Sequence, residues 1–165
     1  EARAAAGPEL PVAVIELPFV LGRAGDRRPN WAGPLDRWAR SRAPLVVPAG
    51  GTAAVSARSV AEVAADALEQ SDDADLPVVD ENLTWHEMVS RIAAAAGRPR
   101  RVRRLPSGLV RAALRGGGLM QDIGHKKSGI DPGHFGDLLL SELFIEPASG
   151  RSLDGAFRDS FADRP

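Results

Sequence analysis

An apolar segment near the start of the chain constrains the fold most. Residues 12–17 read VAVIEL, a nearly unbroken apolar run rich in β-branched side chains. This pattern is typical of a strand buried on both faces of a parallel sheet, whereas a strand with one solvated face alternates apolar and polar residues. Because such a strand needs neighbouring strands and covering helices, the run predicts an α/β fold. Pro18 has no backbone N–H to donate to a sheet and therefore ends the strand.

Two helix starts are predicted from paired side chains. Ser59 precedes Glu62 by three residues, and Thr84 precedes Glu87 by three. This is the spacing of a capping box, in which the two side chains bind backbone N–H groups that the first helical turn leaves unpaired. We expect a helix over 60–68 with Leu68 on its buried face, and a second helix that ends at Gly97.

Weaker patterns indicate the remaining elements. Residues 22–34 have the composition of a loop. Asp131 and Pro132 predict the start of a late helix, with Leu143 on its inner, apolar face. The other predicted elements are a helix over 35–41, strands at 45–48 and 76–79, an extended piece ending at 105–106, and a helical turn containing Phe157 and Phe161.

Composition argues against several classes of function. The 165 residues, 44% of them hydrophobic, suit a single unit spanning residues 1–165. A net charge of -1 gives no long-range field that favours nucleic acid or an anionic membrane as a partner. The chain has no cysteine, which excludes disulfides and thiolate metal sites and favours a reducing, cytoplasmic setting. No run approaches the roughly 18 apolar residues of a membrane span.

The sequence contains no recognisable catalytic residue. Tyrosine is absent, so a mechanism that uses a phenolic proton donor has no donor here. The three histidines, His86, His125 and His134, are too dispersed to specify a metal site. The chain starts at Glu1 without an initiator methionine, and we expect it to be part of a longer protein.

Four segments together resemble a known family. They read VIELPFVLG (14–22), VSARSVAEVAADAL (55–68), LPVVDENLTWHEMVSRIAAAAG (76–97) and DLLLSELFIEP (137–147), and they span most of the chain. In order and spacing they resemble the extended short-chain dehydrogenases/reductases, the family of NAD-dependent epimerases and dehydratases. The resemblance implies the C-terminal part of a Rossmann-like fold, with late parallel strands and a small, mostly helical substrate lobe.

The family's catalytic and cofactor motifs are missing from this chain. The family holds the cofactor pyrophosphate on a glycine-rich turn after its first strand, and a Tyr-x-x-x-Lys pair supplies the proton donor. The glycines at 116–118 follow an arginine-rich segment rather than a first strand, so they are not that turn. The resemblance implies that both motifs lie upstream of Glu1. This chain alone would then be inactive, and NAD or NADP would bind together with the absent N-terminal part.

The resemblance also implies which residues touch ligand. In the family, the loop after this strand lies beside the nicotinamide, and the substrate lies over the loop that follows. The implied cofactor contacts are Pro18, Phe19 and Val20. The candidate substrate contacts are Leu21, Gly22, Asn30, Trp31 and Arg58. Two of these have simpler alternatives, since Pro18 also terminates a strand and Trp31 can pack its own loop.

The sequence departs from the family in two places. Many nucleotide-sugar enzymes of the family carry Arg-Asp, whose arginine often binds the substrate diphosphate, where this chain has Thr52 and Ala53. The His-Val-x-Asp pattern that follows in those enzymes is replaced here by residues 56–59, which read SARS. A nucleotide-sugar substrate therefore fits poorly, and a sugar-like or other small metabolite fits better. The two departures together leave open a noncatalytic relative that serves as a binding or assembly module.

Two further alternatives concern partners. Five arginines between 98 and 104 suit either a phosphate or diphosphate ligand or a solvated surface strand, and the balanced charge of the chain favours the solvated strand. If the chain is complete and folds alone, VAVIEL becomes an exposed sheet edge. We then expect self-association, which makes a homo-oligomer a candidate assembly.

Overall fold

The computed structural model of the chain describes residues 11–70, 73–112, 137–146 and 148–161. Its strands are β1 (Ala13–Glu16), β2 (Phe19–Leu21), β3 (Leu45–Val47), β4 (Gly51–Ser56), β5 (Ala74–Pro77), β6 (Glu81–Thr84), β7 (Val102–Arg104) and β8 (Glu142–Leu143). Its helices are α1 (Ala32–Arg40), α2 (Ala57–Gln70), α3 (Trp85–Ala95) and α4 (Asp154–Phe161). Residues 107–112 and 137–140 are also helical.

The strands form three groups, with β4 at the centre of the largest. β4 pairs in parallel with β2 and β8 and antiparallel with β6. The other two groups are the parallel pairs β1–β5 and β3–β7. Parallel strands alternating with helices confirm the predicted α/β class.

Helix α3 connects two apolar cores. One of its faces packs Met88 and Ile92 against α4, including Phe157 and Phe161. Its other face packs Val89 and Ala93 against the β3–β7 pair. Both Phe157 and Phe161 are almost fully buried, which confirms the predicted helical turn at the C-terminal end.

The predicted capping box of α3 is confirmed. The Thr84 hydroxyl accepts a hydrogen bond from the backbone N–H of Glu87 at 3.2 Å, and the Glu87 carboxylate accepts one from the backbone N–H of Thr84 at 2.9 Å. Gly97, with φ of 72°, follows the helix in the left-handed conformation that glycine adopts most easily. Local sequence therefore fixes both ends of α3.

The expected burial of β1 on both faces is wrong for the residues that the structure describes. Ala13 and Glu16 are exposed, Val14 and Ile15 are half-buried, and the Leu17 side chain next to the strand is 47% exposed. Among described strands, β1 pairs only with β5. The apolar pattern predicts a neighbouring strand on the other edge of β1 as well, and the described residues do not supply one.

The predicted start of α2 is also wrong. The helix begins at Ala57, and the Ser56 hydroxyl accepts a hydrogen bond from the backbone N–H of Ser59 at 3.0 Å. Ser56 is therefore the N-cap, and Ser59 lies in the first turn with its side chain buried. Leu68, expected to be buried, is 80% exposed.

Other boundaries differ by a few residues. α1 starts at Ala32, inside the segment predicted as a loop, and Pro34 fits in its first turn because those N–H groups need no intrahelical partner. The strand predicted at 76–79 lies at 74–77, and Leu143 lies in β8 rather than in a helix. The glycines at 116–118, His125, the predicted helix start at 131–132 and His134 lie outside the described residues. Within the described ranges, no helix is long and apolar enough to cross a membrane.

Candidate functional site

A cleft of about 530 Å³ lies where β2 and β4 end. β2 ends at Leu21 and β4 at Ser56, and these two residues are register partners in a parallel pair, so both carboxyl ends meet at one edge of the sheet. Open α/β sheets bind ligands at this edge. The residues that line the cleft are Leu21, Gly22, Arg23, Ser56, Ala57, Arg58, Ala61, Ser152, Gly155, Ala156 and Asp159.

The start of α2 forms one wall of the cleft. Ala57, Arg58 and Ala61 lie on its first turns, and the exposed Arg58 side chain adds a cation to the positive end of the helix dipole. Helix α4 supplies the facing wall through Gly155 and Ala156. Because the walls carry mostly small side chains, the cleft stays open.

Residues distant in sequence close one end of the cleft. The backbone N–H of Gly22 donates a hydrogen bond to the Ser160 hydroxyl at 2.7 Å, and the Arg23 guanidinium donates to the Asp159 carbonyl at 2.5 Å. Gly22 has φ of 110°, and a Cβ there would lie 3.3 Å from that of Ala57. A larger residue at 22 would therefore be strained and would press on α2.

Asp80 fixes the start of α2 through hydrogen bonds. Its side chain is almost fully buried, and its carboxylate accepts hydrogen bonds from the Ser56 backbone N–H at 2.8 Å, from the Ser59 hydroxyl at 2.8 Å and from the Ser149 hydroxyl at 3.0 Å. The Ser56 hydroxyl donates in turn to that of Ser59 at 2.9 Å. This network joins β4, α2 and the segment around Ser149, and so fixes one wall of the cleft.

The hydrogen bonds control the ionisation of Asp80. Burial raises the pKa of its carboxyl, but the hydrogen bonds from Ser56, Ser59 and Ser149 outweigh burial and hold the pKa below the ordinary value of 3.8. A group whose pKa is lower in the native state stabilises the fold above its unfolded pKa. That contribution is lost as pH falls through the native pKa.

We therefore expect the Asp80 contribution to stability to be constant at neutral and mildly acidic pH and to shrink below about pH 4. The measurement is urea unfolding of the chain and of Asp80→Asn across this range. The difference between their free energies of unfolding should narrow only at the acidic end. A difference that narrows near neutral pH would contradict the lowered pKa.

The structure brings three of the five candidate substrate residues together. Leu21, Gly22 and Arg58 line the cleft, whereas Asn30 and Trp31 do not. The Trp31 ring lies between those of Phe19 and Phe161, with ring centroids 4.5 and 5.8 Å away. Trp31 therefore packs its own loop against the core. Asn30 is exposed at the end of that loop.

The candidate cofactor residues lie at the start of β2. Pro18 separates β1 from β2, and Phe19 and Val20 are half-buried strand residues that pair with β4. Among described strands, β2 has β4 as its single partner. The other edge of β2 therefore has no partner among the described strands, and this edge runs up to Leu21, the strand residue that lines the cleft.

Sequence reasoning missed the part of the cleft that comes from the C-terminal helix α4 and the residues just before it. Ser152, Gly155, Ala156 and Asp159 face α2 across the cleft. The small residues of α4 are a faint signal, but no local pattern relates them to Gly22, which is 138 positions from Ser160. Among the described side chains, no group of three or more histidine, aspartate or glutamate residues forms a metal site.

Comparison with known proteins identifies the fold. The sequence matches no protein-family model and has no significant match among curated proteins. The crystal structure of gox2253 superposes with a TM-score of 0.63 at 15% identity, covering 91% of this chain and 48% of that one. That of the human epimerase family protein SDR39U1 (isoform 2) with NADPH gives 0.61 at 19% identity, covering 96% and 50%. The chain spans about half the length of each, and its fold is Rossmann-like, similar to the folds of these two proteins.

Proposed function

We propose that this chain is the substrate-side portion of an NAD(P)-dependent epimerase, dehydratase or reductase, and that the cleft at the ends of β2 and β4 binds a small metabolite. The observation that carries the proposal is that the adjacent Leu21 and Gly22 line one cleft together with Arg58, 36 positions after Gly22, at the carboxyl edge of parallel strands.

The open side of β1 supports the proposal that a cofactor-binding front completes the fold. β1 has an apolar sequence, yet Val14 and Ile15 are only half-buried and Leu17 is 47% exposed. Strands of this composition belong inside a parallel sheet. A further parallel strand beside β1, together with the connecting helix packed on the sheet, would bury these side chains. The two similar structures are about twice as long as this chain.

Residues 18–20, which precede the cleft residue Leu21 in sequence, would bind the nicotinamide end of a dinucleotide. The second edge of β2 has backbone groups that no described strand uses, and a carboxamide needs backbone donors and acceptors of this kind. Pro18, Phe19 and Val20 would hold the nicotinamide by this edge, next to Leu21 and the cleft. When bound, the cofactor supplies a hydride acceptor or donor. This chain's own residues would position the substrate and exclude water.

Thermal shift on the natural full-length protein tests the proposal. NAD, NADP and their reduced forms are added first, and a metabolite collection is then screened with the best cofactor present. We expect the cofactor to raise the melting temperature of the whole protein but not that of residues 1–165 alone, because stabilisation requires a formed site. We expect metabolite hits to disappear in Ala61→Phe, which places a ring in the cleft from an exposed position.

Ala65→Phe is the matched control, since Ala65 is exposed one turn further along α2 and does not line the cleft. Hits that survive Ala61→Phe would place the substrate elsewhere. A full-length protein that binds no cofactor would favour the noncatalytic binding module. Sequencing upstream of Glu1 is an independent test: a glycine-rich turn and a Tyr-x-x-x-Lys pair there would support the enzyme, and their absence would support the binding module.

A further inference from the structure

Eight of the 21 arginines and lysines of the chain lie in two short segments that contribute no residue to the cleft. Arg37, Arg40 and Arg42 lie at or just after the C-terminal end of α1. Arg98, Arg100, Arg101, Arg103 and Arg104 lie on the segment that leads into and forms β7. We call these eight arginines the basic face. Asp36 is the single acidic residue within 36–43 and 98–104, although the whole chain carries a net charge of -1.

Hydrogen bonds bring the two halves of the basic face together. Arg98 donates to the carbonyl of Arg40, and Arg100 donates to the carbonyl of Ser41 and, at 2.5 Å, to that of Ala43. These guanidinium groups bind the carbonyls at and beyond the C-terminal end of α1, where cations are favoured. β7 then continues beside β3 with Arg103 opposite Val46, so the two arginine-rich segments lie next to each other in the fold.

Most of the remaining charge on this face is uncompensated. Arg40 is paired with Asp36 at 2.8 Å, and Arg104 lies within electrostatic range of Glu87. Of the side chains that the structure describes, no carboxylate forms an ion pair with Arg37, Arg42, Arg101 or Arg103. All four are exposed. Arg101 and Arg103 are two positions apart in an extended segment, which spaces them by roughly 6.6 Å on one side.

We propose that the basic face binds the phosphate backbone of nucleic acid without regard to base sequence. The arginine fork pairs with phosphate through two parallel hydrogen bonds, and a polymer with one charge per nucleotide engages several arginines at once. Bases are read or stacked by aromatic rings, and the one tryptophan in this region, Trp38, packs against the core. The proposal does not depend on the function of the cleft, with which the face shares no residue.

Fluorescence anisotropy with labelled single-stranded RNA of mixed sequence tests the proposal on the full chain. Four uncompensated arginines predict a slope of about -3 for log K against log salt, so affinity should fall about 60-fold between 50 and 200 mM salt. Arg101→Gln with Arg103→Gln should halve the slope, leaving a loss of about eightfold over the same range. Oligo-A and oligo-U should bind equally well.

Arg27→Gln with Arg158→Gln is the matched control, because it removes two exposed arginines outside the face and lowers net charge equally. It should leave the slope unchanged. An equal loss of salt slope in this control, or no RNA binding at 50 mM salt, would overturn the proposal. Displacement of the RNA by poly-glutamate at the same charge concentration would also overturn it, and would indicate an acidic protein partner instead. Arg37→Gln with Arg42→Gln gives a second measurement from the α1 side if the first variant unfolds.

Discussion

Asp80→Ala is expected to lower the free energy of unfolding by about 3 kcal/mol or more, because it leaves buried donors without an acceptor. The carboxylate accepts from the Ser56 backbone N–H and from the hydroxyls of Ser59 and Ser149. Each buried donor that loses its partner costs about 1 kcal/mol or more, and the empty volume adds to the loss. Urea unfolding followed by circular dichroism measures the change.

Two variants separate the network from a general effect of losing an aspartate. Asp66→Ala removes an exposed carboxylate from the middle of α2 and should change stability by less than about 0.5 kcal/mol. Asp80→Asn keeps one accepting oxygen but loses the charge, so it should fall between the wild type and Asp80→Ala. If Asp80→Ala were as stable as Asp66→Ala, the network would not hold the start of α2.

The second large effect is expected from Gly51→Ala, which should destabilise the chain by about 3 kcal/mol through steric overlap in the central sheet. A Cβ at Gly51 would overlap the Leu83 carbonyl oxygen and lie 2.7 Å from the Thr84 Cα and 2.9 Å from the Phe144 ring. Two of these are backbone contacts on β6 that side-chain rotation does not relieve. Yield of folded protein and urea midpoint both report the loss.

Gly108→Ala is the control for this substitution. A Cβ at Gly108 meets nothing within 4 Å, and the residue lies in the helical segment 107–112, where alanine is favoured over glycine by up to about 1 kcal/mol. It should therefore be neutral or slightly stabilising. A Gly51→Ala chain as stable as Gly108→Ala would mean that β4 and β6 move apart at little cost.

The elements that the sequence predicted correctly are those whose signals lie within a few residues of one another. The α3 capping box needs only Thr84 and Glu87, and Gly97 ends the same helix through its own conformation. The packing of Phe157 and Phe161 follows from their spacing of four, which places both on one side of a helix. The α/β class followed from the apolar run at 12–17.

The errors arose where a distant residue decides between two local possibilities. Ser56 and Ser59 are both suitable N-caps, and Asp80, more than twenty positions away, binds the Ser59 hydroxyl and leaves Ser56 as the cap. β1 has the sequence of a fully buried strand. Its burial depends on the strands and helices that pack around it, and the composition of the strand does not specify where in the fold these elements come from.

The sequence by itself therefore determined the fold class, the ends of α3 and the absence of a phenolic catalytic group. Only the tertiary structure decided where a site can form, because the cleft requires Gly22 to meet Ser160 across 138 positions. Likewise, a net charge of -1 is a sum over the chain, whereas the structure brings two arginine-rich segments next to each other. Sites and charged surfaces depend on distances in space, and those are set by packing between elements rather than by any one segment.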